Sequence, residues 1–160
     1  MLLTVGNWLR DYSFANRIYM KLLEEDNSLN IYVVTNSQNK EKLSKHDRIH
    51  ILSGIVDEEL KKLYQRCSVL FLPLIRYTAN NSLLEAGATG CNIVVSSDYP
   101  DNSYIPESLL TLTSMEEDMA INGIEKTMMP TYNVEISEYV SRKYGWEHIS
   151  KHTLEILSSI

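Results

Sequence analysis

Five short apolar runs, interrupted only by Thr4 and His50, recur along the first hundred residues: Leu2–Val5, Ile31–Val34, Ile49–Leu52, Val69–Leu72 and Ile93–Val95. Helical patterns lie between several of them. After Ser13, read as a helix cap, Phe14, Ile18 and Leu22 repeat every four residues with Ala15, Tyr19 and Leu23 beside them. That stripe is wide enough to face a sheet. From Asp57 a second pattern puts Leu60, Leu63 and Tyr64 on one face, with Asp57, Glu58 and Glu59 in the first turn and Lys61, Lys62 and Arg66 later. Those charges suit both ends of the helix dipole. Strands without in/out alternation are buried on both faces, as when helices cover a parallel sheet from both sides. The fold reading is therefore α/β: a Rossmann-like doubly wound parallel sheet with helices on both faces.

The rest of the chain is less sharply patterned. Residues 36–46 are polar with a weak helical signal. Leu109–Leu112 reads as a short edge strand, Met115–Met128 as a helix ended by Pro130, and Val134–Arg142 as another. Trp146, Ile149, Thr153, Ile156, Leu157 and Ile160 share one face of a last helix, expected to close over the domain.

At 160 residues the chain is read as one domain, 1–160. A net charge of -6 argues against a nucleic-acid partner, which needs a basic face. Cys67 and Cys91 form no CxxC pair, and a reducing, cytoplasmic setting is the simplest reading. No stretch approaches the ~20 apolar residues of a membrane span. The opening MLLTVGN is read as the first strand rather than a leader, which suggests a domain of a longer protein.

In an open parallel sheet, ligands bind beyond the carboxyl ends of the strands. Three loops there can do chemistry. In the first, Gly6 permits close backbone approach, Asn7 follows it, and Arg10 offers a fork of donors to a diphosphate; an exposed pair of Arg10 with Asp11 explains the residues equally well. In the second, Ser53-Gly54-Ile55-Val56, backbone groups and Ile55 can meet a flat base, or the stretch is a plain turn into the Asp57 helix. In the third, Asn80, Asn81 and Ser82 open a helix whose N–H groups and dipole form an anion site. Ser82-Leu83-Leu84-Glu85 is also the pattern of a capping box. A nicotinamide fingerprint, a P-loop and a serine-hydrolase elbow are absent, and an acidic cluster for a receiver domain is missing. His148 and His152 stand i, i+4 apart, a weak metal signal without the H-E-x-x-H order.

The segment NNSLLEAGATGCNIVVSSD, with its preceding strand ending at Pro73, resembles the donor segment of GT-B glycosyltransferases of the retaining family 4 type (group 1). SGIVDEELKKLYQRCSVLFLPL, TVGNWLRDY and YGWEHISKHTLEIL are similar to other parts of the same half. The resemblance implies the donor-binding C-terminal domain of an enzyme whose N-terminal acceptor domain lies outside this chain. It implies a nucleotide-sugar donor, UDP- or GDP-linked, and no further cofactor or metal. Any peripheral membrane contact would come through the acceptor domain. Glu85 matches the second glutamate of the family's E-x7-E motif, which takes the ribose hydroxyls. Asn80, Asn81 and Ser82 match the loop and helix start at the diphosphate and sugar, Arg10 a diphosphate ligand, and Gly54 and Ile55 positions near the base. The first glutamate of the motif falls at Tyr77, which supplies no carboxylate. That departure keeps a second expectation open, a non-catalytic glycosyltransferase-like module. No residue of the chain matches a nucleophile or an acceptor base.

Overall fold

The computed structural model describes residues 1–76, 80–97, 104–129 and 132–159. Leu2, Leu3 and Thr4 of β1 (Leu2–Val5) are inaccessible to solvent, so this strand sits at the centre. Around it stand β2 (Ile31–Val34), β3 (Ile49–Leu52), β4 (Val69–Pro73), β5 (Ile93–Ser96) and β6 (Thr111–Thr113). Together they form a parallel sheet in the order β3-β2-β1-β4-β5-β6. The chain reverses its direction of travel between β1 and β4, where this fold class leaves a crevice. Pairing there is short: only Leu2 with Val69 and Leu3 with Leu70 are in register.

The strict two-residue period of a strand splits each run between two cores. Leu2, Ile31, Val33, Val69, Phe71 and Val94 meet α1 (Tyr12–Glu25) and α5 (Glu117–Thr127) on one face. Leu3, Val5, Leu70, Leu72, Ile93 and Val95 meet α3 (Asp57–Arg66), α4 (Asn81–Ala88) and α6 (Val134–Tyr144) on the other. One buried polar side chain interrupts the first core. Thr4 donates to the Phe71 carbonyl at 3.0 Å and accepts from the Tyr19 phenol at 2.6 Å, so neither hydroxyl is left unsatisfied.

Several boundaries differ from expectation. Asp11 rather than Ser13 caps α1: its carboxylate accepts from the Phe14 N–H at 2.8 Å. The Asp11 N–H is itself held by the Pro73 carbonyl at 2.9 Å, which fixes the cap in place. In the polar 36–46 stretch a short helix, α2 (Ser37–Lys40), forms behind an Asn36 cap. The edge strand is shifted to Thr111–Thr113, where Val94, Val95 and Ser96 offer partners and the Ser96 and Thr113 hydroxyls bond each other. The last helix, α7 (Trp146–Ser158), does not close over the domain: none of its residues is buried, and Trp146 is 84 % exposed. Its expected place is taken by α6, whose Ile136 and Val140 pack on α4 because Gly87 presents no side chain between the helices. Among the described residues no helix is long and apolar enough to cross a membrane.

Candidate functional site

Where β1 and β4 part, side chains take over from the ladder. The Val5 carbonyl accepts from Arg10 Nε at 3.2 Å and from Ser82 Oγ at 3.4 Å. Arg10 also donates from Nη1 to the Trp8 carbonyl at 3.1 Å and from Nη2 to Asn80 Oδ1 at 2.9 Å. A guanidinium has five N–H groups. Three are engaged by neutral acceptors, and the remaining two, one on each terminal nitrogen, have no acceptor among the described residues. Arg10 forms no ion pair among the described residues, and Asp11 is committed to its cap. Burial pulls the Arg10 pKa below its usual value, with the neighbouring Tyr12 and Tyr64 opposing the shift. The guanidinium remains charged. A cation partly stripped of water and facing only dipoles favours an anion.

The first loop is built to hold that cation. The position a Cβ would take on Gly6 lies 3.0 Å from Arg10 Nη2 and 3.1 Å from Cζ, so the guanidinium lies against the Gly6 backbone. The space on the side of Gly6 that a Cβ would take is therefore filled by Arg10. Gly6 has φ +132°, a conformation that costs a side-chain-bearing residue dearly. Leu9 also has a positive φ, 55°. It is held there by the Ile75 N–H, which donates to its carbonyl at 3.1 Å. The loop thus leaves β1 and is tied down at the exit of β4, across the crevice.

Asn80 is the N-cap residue of α4, but its side chain makes no cap bond; it is buried and turned to Arg10. Asn81, the first residue of the helix, is exposed. By the geometry of any α-helix the N–H groups of Asn81 and Ser82 have no intrahelical acceptor, so they and the dipole add positive potential beside Arg10. The capping box expected for Ser82 and Glu85 does not form. Asn80 occupies the cap position, Ser82 sits two residues too deep and bonds Val5, and Glu85 turns instead to the Tyr64 phenol, accepting at 3.0 Å on Oε2.

Gly6, Asn7, Gly54 and Ile55 line one cavity of about 240 Å³ at the exits of β1, β2 and β3, with Thr35, Asn36 and Leu60. Leu60 also borders a groove of about 430 Å³ that carries Tyr64 and Glu85. The two hollows share Leu60; the first opens at the strand ends, and the second runs between α3 and α4. A larger hollow of about 710 Å³ between α2 and β3 lies away from the crevice, among surface residues such as Lys40, Glu41 and Lys45. Of the residues expected from sequence, Tyr77 lies outside those described. The others fall into two groups: Gly6, Asn7, Gly54 and Ile55 on the cavity, and Arg10, Asn80, Asn81 and Ser82 at the crevice, with Glu85 on the adjoining groove.

Four supporting residues were missed. Tyr12 donates to the Gly6 carbonyl, as does Thr35 Oγ1 at 3.0 Å. Asn39 donates to the Asn7 carbonyl at 3.0 Å and to Thr35 Oγ1 at 2.9 Å, pinning the first loop to α2. Tyr64 was read only as core. The available signal was a tyrosine on an apolar helix face, whose hydroxyl needs a partner when buried. His148 and His152 stack at 6.3 Å on the exposed α7, and no metal-binding group of three ligands exists among the described residues.

Comparison with known proteins adds the identity of the fold. Residues 2–120 match the family model described as glycosyl transferases group 1. A search among curated proteins returned no significant match. Two solved structures are similar. WaaG, a glycosyltransferase involved in lipopolysaccharide biosynthesis, shares 16 % identity at a TM-score of 0.70, covering 94 % of this chain and 45 % of that one. A glycosyltransferase from Rickettsia africae ESF-5 shares 13 % identity at a TM-score of 0.78, covering 97 % and 46 %. The chain therefore spans a little under half the length of either, with the fold of a GT-B glycosyltransferase over that part. Since the family model takes in β1 through the first turn of α5, the chain belongs to the group 1 glycosyl transferases.

Proposed function

We propose that this chain is the donor-binding half of a retaining glycosyltransferase that moves a sugar from a nucleoside-diphosphate sugar to an acceptor. The acceptor is held by a second domain beyond these residues. The observation that carries the reading is the Arg10–Asn80 contact at the start of α4, together with the cavity at the strand ends and the groove between α3 and α4 that shares Leu60 with it. A cavity bounded by Gly6, Asn7, Gly54 and Ile55 suits a base, the adjoining Glu85 suits ribose, and Arg10 at the start of α4 suits a diphosphate. When the glycosidic bond breaks, negative charge grows on the diphosphate oxygen that leaves. Arg10, with two N–H groups in hand, and the N-terminal dipole of α4 are fixed in advance to stabilise it. Glu85 holds the donor in place, and positioning lowers the barrier. UDP- or GDP-linked donors are the favoured substrates, and the chemistry asks for no further cofactor. Two free thiols suit a cytoplasmic enzyme.

A second reading, a non-catalytic module, is favoured by Tyr77, which stands where the family's first motif glutamate would be. Calorimetry with UDP, GDP and ADP separates the two. The donor reading expects at least one to bind, and Glu85→Ala to weaken it roughly tenfold or more, the worth of a charged hydrogen bond. A folded protein that binds none of them belongs to the second reading. Unchanged affinity in Glu85→Ala removes that residue from the site. The chain alone is expected to transfer no sugar, and turnover by it would place an acceptor site within these residues.

A further inference from the structure

Tyr64 stands on the apolar face of α3 and is 2 % exposed, yet its phenol reaches the wall of the groove that carries Glu85. It donates its proton to Glu85 Oε2 at 3.0 Å. The Ser82 hydroxyl lies against the same phenol and reaches back to the Val5 carbonyl. Burial, and then the charge of Glu85, raise the phenol's pKa, so it stays a proton donor across the physiological range. Glu85 itself is exposed and, although Lys61 lines the same groove, it forms no ion pair among the described residues. Its orientation is therefore set by a neutral, buried, rigid donor.

We infer that Tyr64 is the positioning residue for Glu85, and that its hold on that carboxylate sets how sharply the site tells ribose from deoxyribose. The inference rests on the donor-binding reading above. With Oε2 anchored, the carboxylate plane is fixed and Oε1 remains to accept from sugar hydroxyls. An unanchored surface glutamate would lose rotamer freedom each time it gripped a ligand; Tyr64 removes that freedom beforehand. A site that accepts a hydroxyl proton discriminates against the analogue that lacks it, because the acceptor is then left unmatched.

The test is calorimetry of UDP and GDP beside their 2′-deoxy counterparts, on the wild-type chain and on Tyr64→Phe, Glu85→Asp, Glu85→Ala and the Tyr64→Phe/Glu85→Ala double variant. Thermal melts confirm that each is folded. The wild type is expected to prefer the ribonucleotide by roughly tenfold or more. Tyr64→Phe removes one oxygen and should cut that preference about fivefold while leaving deoxynucleotide affinity nearly unchanged. Glu85→Asp withdraws the carboxylate from the phenol and should do the same from the other side. The double variant should be no worse than Glu85→Ala, since Tyr64 acts through Glu85. Equal weakening of both nucleotides in Tyr64→Phe would mark a merely structural tyrosine and overturn the inference. A preference lost in Glu85→Ala but intact in Tyr64→Phe or Glu85→Asp would overturn it too, leaving the donor reading standing. Absence of any nucleotide binding to the folded wild type would overturn both.

Discussion

The helix layer made by α1 and α5 and the layer made by α3, α4 and α6 differ in where their polar groups lead. In the first, the buried Tyr19–Thr4 pair closes on the Phe71 carbonyl inside the core. The charges at its rim, Arg17, Lys21 and Glu117, pair with one another across the two helices. In the second, Ser82 reaches the buried carbonyl at the end of β1, and the Tyr64 phenol leads outward to the exposed Glu85. Arg10 leaves the loop before α1 and turns to this second layer through Asn80. Both layers bury apolar stripes of the same kind, so packing alone does not choose a functional side. What sets the second layer apart is a half-buried cation, Arg10, held only by neutral acceptors beside α4, and a carboxylate, Glu85, anchored by a buried phenol.

The most direct way to break this comparison is Arg10→Ala. The second layer would lose its cation, and affinity for UDP or GDP should fall roughly 100-fold, about 2.7 kcal/mol, as expected for a forked, charge-assisted contact. Arg17→Ala, in the first layer, should leave the affinity unchanged. Titrating both variants at matched temperature and salt measures the contrast. Equal affinities in the two variants would place the diphosphate away from the crevice.

A matched pair of glycines sharpens it further. A Cβ on Gly87 of α4 would come within 2.8 Å of Val140 Cγ2, and one on Gly123 of α5 within 2.5 Å of Thr113 Cγ2. Either alanine variant overpacks a helix against its neighbour, and each should cost about 2 kcal/mol in denaturant unfolding. Only Gly87→Ala displaces the helix that begins at Asn81, so only it should also weaken nucleotide binding. Loss of affinity in Gly123→Ala would mean that the two layers are coupled through the sheet.

How far these features could be read from sequence follows the range of the interactions that make them. The first five strands were legible because each is a short run dominated by apolar residues, and Gly6, Gly54 and Ile55 because a parallel sheet delivers all such loops to one edge. Interactions between distant residues were not. The Ser82-to-Glu85 spacing satisfies a local capping rule, yet Val5 and Tyr64, from two other elements, take those side chains. Arg10 and Asn80 are separated by 70 residues, and nothing in either neighbourhood announces the other. In α7 the amphipathic stripe was read correctly as a pattern, but the pattern does not say what covers it, and within this chain α6 already covers α4.

The smallest effect tests the first layer. Glu117 accepts from Arg17 at 2.6 Å and pairs with Lys21 at 2.8 Å, joining α5 to α1. Its hydrogen bonds to Lys21 and then Arg17 lower its pKa from the ordinary 4.5. A folded-state pKa below the unfolded one means that the unfolded chain binds protons more tightly in that window. The stabilisation is therefore complete above pH 4.5 and is lost as pH falls through the lower, folded value. Glu117→Gln should melt slightly below the wild type at neutral pH, and the two melting curves should converge as the buffer is taken well below pH 4.5. The cluster is solvent-exposed, so added salt should shrink the neutral-pH difference. Nucleotide affinity should be the same in both proteins, because this network ends within its own layer. A change in affinity would show that the rim charges of α1 and α5 reach the crevice after all.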